Sequence, residues 1–377
     1  MATTIGNVEA FPSRTTRSAA AAGTAVRVWL ATVIGLVLAM IVVGGATRLT
    51  DSGLSITEWL PLLGAIPPLS DADWAAAFAK YKLIPEYTQV NAGMSLAEFK
   101  FIYWWEWGHR FLGRFIGIAY ALPLAIFWMR GQIPSRMKPL LLALLVLGGL
   151  QGFVGWYMVQ SGLVDRIDVS QYRLAMHLSL AFLILGLLTV AYCALRPAAS
   201  HLSLAEERRS GALGLGLAAA VAVVVLVYAQ VALGAFVAGT KAGLTYNTWP
   251  LMDGAFVPDG LFMLEPWYLN ATENITAIQF NHRISAYVLL AAAIGHAVLT
   301  WRWTGDTGLR AGALLLLAAV IVQAIFGVWT LVAAEGAIPI GLGLIHQGGA
   351  AVVLVIAVAH AMAWYRHGRS APAAPTR

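Results

Sequence analysis

Four histidines occupy matched positions in this chain. His109 and His177 lie 68 residues apart in the first half, and His282 and His346 lie 64 apart in the second. Their surroundings repeat as well: EWGHRFLGRFIG pairs with QFNHRISAYVLL, and YRLAMHLSL with LGLIHQGGA. Each histidine sits just inside a long apolar run. An imidazole in hydrocarbon is costly without a partner, which makes such a residue a functional candidate. Two histidines on facing membrane helices can supply both axial ligands of a haem iron. Two such pairs predict two porphyrin sites, with His109, His177, His282 and His346 as metal ligands.

Neighbouring residues extend the prediction. Arg110 and Arg283 each directly follow a histidine and are candidate cations for porphyrin carboxylates; an arginine that merely snorkels to the interface is the plainer reading. Glycines on the histidine helices (Gly108, Gly113, Gly117, Gly348, Gly349) would admit a flat macrocycle or a neighbouring helix. Glu106 lies three residues before His109 and so shares its helix face. The matching residue before His282 is Gln279, which cannot ionise. A carboxylate at one site only suggests chemistry there and electron transfer at the other. The alternative is a solvated carboxylate at the membrane interface.

These side chains need membrane-spanning elements to hold them. The chain has 377 residues, 59% hydrophobic and 11% charged, with mean hydropathy +0.74. A soluble domain is nearer ~25% charged, so the composition specifies an all-α, polytopic membrane protein. Apolar runs predict eight spans, about 28–46, 107–129, 140–160, 174–195, 212–239, 280–300, 311–332 and 342–364, each near the ~20 residues a span requires. Basic residues concentrate in the termini and in the short loops with Arg130, Arg136, Lys138, Arg196, Arg208, Arg209, Arg302 and Arg310. Both termini are therefore expected on the cytoplasmic (or matrix) side, with the long 47–105 loop outside. The net charge of +6 reflects this topology and gives no footing for nucleic-acid binding. Cys193 is the one cysteine, so an internal disulfide is excluded, and no Cys-x-x-Cys-His motif exists for covalent haem attachment. Residues 1–26 read either as a cytoplasmic tail or as a transit peptide, and the end from Arg369 reads as disordered.

The duplication extends beyond the histidines. GGATRLTDSGLSITEWLP after the first span matches VAGTKAGLTYNTWP after the fifth, through Thr47-Arg48 and Thr240-Lys241. The third and seventh spans share Gln-x-x-x-Gly at Gln151/Gly155 and Gln323/Gly327. Spans 1–4 thus repeat as 5–8. Because each unit has an even number of spans, the repeat is parallel, with a pseudo-two-fold axis along the membrane normal. Spans 2, 4, 6 and 8 all start outside, which places the four histidines at one depth, within the first turn or two of their helices.

These residues resemble the haem A synthase family. The resemblance rests on Glu-Trp-Gly-His-Arg at 106–110, Met-His-Leu at 176–178, Asn-His-Arg at 281–283 and His-Gln at 346–347. The runs at 44–55 and 245–252 also fit, and the likeness covers about 28–364. The long first loop without cysteine pairs looks like the proteobacterial and mitochondrial branch. The resemblance implies an oxidoreductase that converts haem O to haem A by oxidising the methyl at porphyrin C8 to a formyl group. It implies that His109 and His177 hold the substrate haem with Glu106 beside the reacting edge, and that His282 and His346 ligate a haem b cofactor. The resulting division is a tail 1–27, a four-helix bundle 28–200 for the substrate haem, a second bundle 201–365 for haem b, and a tail 366–377. Expected partners are haem O, the lipid bilayer, haem O synthase as supplier, an electron donor the sequence does not identify, and cytochrome c oxidase as the destination of haem A; a homo-oligomer is left open. The expected location is the bacterial inner membrane, or the mitochondrial one if the N-terminus is a transit peptide.

The competing class is a non-enzymatic transmembrane b-type cytochrome. His296 and His360 lie 14 residues after His282 and His346, near the same face and ~21 Å further along the helix, the geometry of a second stacked haem. The first half lacks this pattern, having Pro123 and Ala191 at those places. A parallel-repeat transporter is a third class, and it leaves the four outer histidines unexplained.

Overall fold

The computed structural model describes residues 14–60, 63–164, 166–196 and 211–369. The expectations for residues 1–13, for Arg208 and Arg209, and for the chain beyond Arg369 lie outside the described residues. Among the described residues ten α-helices follow in order: α1 Arg14–Leu49, α2 Asp71–Tyr81, α3 Pro85–Gln89, α4 Leu96–Met129, α5 Lys138–Gln160, α6 Gln171–Ala194, α7 Ala212–Gly239, α8 Ile275–Trp303, α9 Thr307–Val332 and α10 Ile340–Arg369. All except α2 and α3 are long and apolar enough to cross a membrane, which gives the eight predicted spans. Among the described residues the sole β feature is an isolated bridge between Met252 and Ala255.

Local signals set the helix starts. Ser95 and Glu98 form a capping box at α4, Asn274 accepts from the Thr276 and Ala277 amides at α8, and Asp306 accepts from the Leu309 amide at α9. The predicted second span began near 107, yet α4 starts at Leu96. Its first turns carry Glu98 and Lys100, so no continuous apolar run marks them. Phe99, Ile102 and Tyr103 recur at helical spacing and are buried against α2 and α3 instead of lipid. This outer cap is aromatic, with Phe78 stacked on Phe99 at 4.8 Å and Trp74 edge-on to Tyr103 at 5.0 Å.

Helix packing positions the histidines. In the first half α1 contacts α4 and α6, and α5 contacts α4 and α6, so α4 and α6 occupy opposite corners of a square. In the second half α7 contacts α8 and α10, as does α9, which sets α8 and α10 at opposite corners. The squares join through α1 against α10, α6 against α7, and α6 against α10. Exchanging helices α1, α4, α5, α6 for α7, α8, α9, α10 maps these contacts onto themselves. Fully buried small residues, including Ala191, Ala235, Ala351 and Ala357, let the central helices approach closely.

Candidate functional site

The four sequence-predicted histidines fall one on each corner helix: His109 on α4, His177 on α6, His282 on α8 and His346 on α10. The last three stand about two turns from their helix starts, as expected; His109 is deeper into α4 because α4 rises into the outer cap. Each side chain keeps part of its surface accessible. Each is backed by a glycine on the preceding spanning helix. A Cβ on Gly155, Gly234 or Gly327 would lie 2.9, 3.1 or 2.7 Å from Cε1 of His177, His282 or His346, and one on Gly44 would lie 3.1 Å from Nε2 of His109. No side chain larger than hydrogen fits there without moving the ring. The close-approach glycines are thus on the helices before the histidines. Of those expected on the histidine helices, Gly108 and Gly117 meet nothing nearby, while Gly113, Gly348 and Gly349 face Met40, Val42 and Gln323.

A glutamine one turn before the glycine completes three of the four cradles. The Nε2 of Gln151, Gln230 and Gln323 donates to the backbone carbonyl of His177, His282 and His346 at 3.1, 3.0 and 2.7 Å. The same nitrogen lies 3.2, 3.1 and 2.9 Å from the ring Nδ1. Sequence reading found two of these Gln-x-x-x-Gly pairs and missed Gln230/Gly234. On α1 the corresponding residue is Met40, four before Gly44.

Glu106 and the two arginines hold the outer loops. The Glu106 carboxylate is 2% exposed. It accepts from Ser55 Oγ at 2.7 Å, the Ile56 amide at 2.6 Å and Arg110 at 2.5 Å. It is therefore neither solvated nor loose; it ties the first loop down beside His109. Arg110 also donates to the Ile56 and Glu58 carbonyls at 2.7 and 2.9 Å. Arg283 repeats the clamp in the second half, donating to the Tyr246 and Thr248 carbonyls at 2.7 and 2.9 Å, and Gln279 donates to Tyr246 at 3.1 Å. These bonds engage the terminal nitrogens of both guanidinium groups.

The repeated basic residues share one acid. Asp168, before α6, lies 3.6 Å from Arg48 and 2.8 Å from Lys241. Glu273, before α8, accepts from Gln171 and Tyr172 of α6 at 2.8 and 2.5 Å. Both contacts fasten the two halves at the end of the bundle that carries the α2–α3 cap. In the cap, Glu86 is 5% exposed and shares a hydrogen bond with Tyr81; burial pushes its carboxyl up to about 8, helped by the charges of Asp51, Glu106 and Asp168.

His296 and His360 are in direct contact with each other. Their Nε2 atoms hydrogen-bond directly at 2.8 Å, with Trp364 Nε1 donating to His360 at 3.2 Å. Two axial bonds of about 2 Å each would set the nitrogens about 4 Å apart with a porphyrin between them. Both rings are buried, at 2% and 4% exposure. Cys193 is likewise a buried, free thiol.

The donor set fits haem. Among the described residues no group of three or more His, Cys, Asp and Glu side chains could hold a bare metal ion. Two imidazoles on opposite corners of a helix square suit an iron that brings four nitrogens of its own. A family model described as COX15-CtaA, cytochrome oxidase assembly protein, matches residues 27–358. The chain belongs to the COX15-CtaA family. Similar proteins in this family include one from Chelativorans sp., 50% identical over 335 residues that cover 89% of this chain and 90% of that protein. Another, from Rhizobium meliloti, is 49% identical over 337 residues covering 89% of this chain and 88% of its own. A third, from Brucella ovis, is 48% identical over 335 residues covering 89% and 90%. All three are named heme A synthase. The COX15-CtaA match runs from within α1 into α10 and so reaches all eight spanning helices.

Proposed function

We propose that this chain is a haem A synthase: it oxidises the C8 methyl of haem O to a formyl group, producing haem A for cytochrome c oxidase. The observation that carries the reading is the set of four histidines on opposite corners of two helix squares, each cradled by a glycine of the preceding helix. His109 and His177 hold the substrate haem; His282 and His346 hold haem b. Haem b, when bound, supplies a one-electron relay. Conversion of methyl to formyl takes two hydroxylations, and the resulting gem-diol loses water. These steps need dioxygen or water as oxygen source and an external electron carrier.

The chain's own residues position and shield the substrate. The glycine cradles fix where each ring stands. Glu106, latched to Ser55 and Arg110, brings the 50–60 loop over the first site, which keeps bulk water from the reacting edge. Its carboxylate is held by charge-assisted bonds, so it presents a fixed negative charge where polar character builds up during methyl oxidation. The enzyme sits in the inner membrane with both termini cytoplasmic, its two bundles related by a pseudo-two-fold axis along the membrane normal. Impermeant labelling of Ser70→Cys in intact cells tests that orientation; protection of that thiol would reverse it.

Expression with and without haem O synthase, followed by extraction and mass analysis of haems, tests the reaction. Haem A should appear only when both proteins are present. Recovery of unaltered haem O would make the protein a cytochrome.

A further inference from the structure

Three of the four histidine cradles carry a hydrogen-bonding amide and one does not. Gln151, Gln230 and Gln323 each bond the histidine carbonyl and touch the ring, all at 2.7–3.3 Å. Met40 stands at the same register on α1, four residues before its glycine, and its terminal methyl reaches α4 at Gly113, one turn beyond His109; a Cβ there would lie 3.1 Å from Met40 Cε. A thioether donates no hydrogen bond, and methionine's unbranched side chain moves easily. The ring orientation differs too. Gly155, Gly234 and Gly327 meet the Cε1 edge of their histidines, whereas Gly44 meets the Nε2–Cδ2 edge of His109.

We propose that Met40 makes His109 the exchangeable axial ligand of the first site. His177, pinned by Gln151, stays on the iron, while His109 can swing away and open a coordination position on the α4 side to a small diatomic molecule. In the second site both ligands are pinned, by Gln230 and Gln323, and the iron stays six-coordinate. One methionine for glutamine thus separates a site that can take up a ligand from one that can only exchange electrons. Met40 acts through His109 and is a positioning residue. The inference rests on the reading that His109 and His177 hold a haem.

Carbon monoxide titration of the reduced, haem-loaded protein tests it. The wild type should form a carbonyl complex with the N-terminal haem and leave the C-terminal haem b spectrum unchanged. Met40→Gln should weaken carbon monoxide binding at the first site about tenfold, the effect of one added buried hydrogen bond to the ligand. Met40→Leu, which also lacks a donor, should bind it as the wild type does, and the haem b band reports folding in each variant. Gln230→Met should confer carbon monoxide binding on the second site. Equal affinity in Met40→Gln and wild type, or no uptake by the wild type, overturns the inference. Unchanged haem content in His109→Ala/His177→Ala, read before any gas is added, instead overturns the site assignment and the inference with it.

Discussion

The two halves of this molecule share a frame and differ at its edges. Both place histidines on opposite corners of a helix square, back them with glycine, and use the arginine after the first histidine to clamp the outer loop through its carbonyls. They differ at three positions around that frame. Glu106 in the first half is Gln279 in the second; Met40 is Gln230; and the first loop carries the α-helices α2 and α3 where the second, residues 240–274, has only short 3-10 turns. The first half thus has the charge, the thioether and the helical cap, and the second has neutral amides at the two matched positions. On the proposed function, one repeated frame would supply two haem sites and a few substitutions would assign them different work: the shared residues would hold haem and loop, and the unshared ones would set reactivity.

The sharpest way to break the comparison is to remove the second pair. His282→Ala with His346→Ala should abolish the low-spin b-type spectrum of the purified protein, and a surviving bis-histidine spectrum would refute the pairing. Next is Glu106→Gln, which gives the first half the residue type of the second. Haem A yield should fall about a hundredfold, as loss of one preorganised electrostatic group does. Haem O or its hydroxylated product should accumulate and the haem b band should remain. Normal haem A output would make Glu106 a loop fastener alone.

The clamps provide a graded test. Arg283→Met removes the arginine donor to the Thr248 carbonyl and one of the two donors to the Tyr246 carbonyl, and should cost about 1–3 kcal/mol. Arg110→Met also strands the buried Glu106 charge and should cost more, about 3–5 kcal/mol. Thermal unfolding in detergent gives both values, and an equal cost would mean that Glu106 does not depend on Arg110. The smallest effect is expected in the cap. Glu86 titrates near 8 when folded, above its unfolded value, so the folded state keeps a proton the unfolded one releases. Cap stability is then full at acidic pH and declines as pH rises from the usual carboxylate range toward about 8. Glu86→Gln should remove that slope in limited proteolysis of the outer loop; an unchanged slope would assign it to another group.

Much of this was legible in the sequence, for reasons that can be named. The spans were readable because lipid demands long apolar runs, and the histidines because a ring inside such a run is out of place. The start of α4 was not, since its first turns are amphipathic and bury against protein. Gln151 and Gln323 were found through repeat comparison of the third and seventh spans. Gln230 escaped because its counterpart at the head of the first span is Met40, so the comparison showed no match. The arginines were noticed for their charge, but their partners are backbone carbonyls of loops about 30–50 residues away, which no side-chain pattern announces. For Glu106 the sequence suggested a carboxylate at the reacting site, with a solvated interfacial one as the alternative; its latch, Ser55 and the Ile56 amide, lies on a loop whose path only the fold reveals.

Helix α4 has a mechanical consequence. At ~1.5 Å per residue its 34 residues make a rod of about 51 Å, while the hydrocarbon layer is only about 30 Å thick. The excess stands above the membrane as the wall of the aromatic cap, and the same rod carries His109 below. A tilt at its upper end is a displacement at the imidazole, with no hinge between them to absorb it. Anything that docks on the cap therefore has a lever on His109, and the second half, whose α8 begins at Ile275 much nearer to His282, has a shorter one.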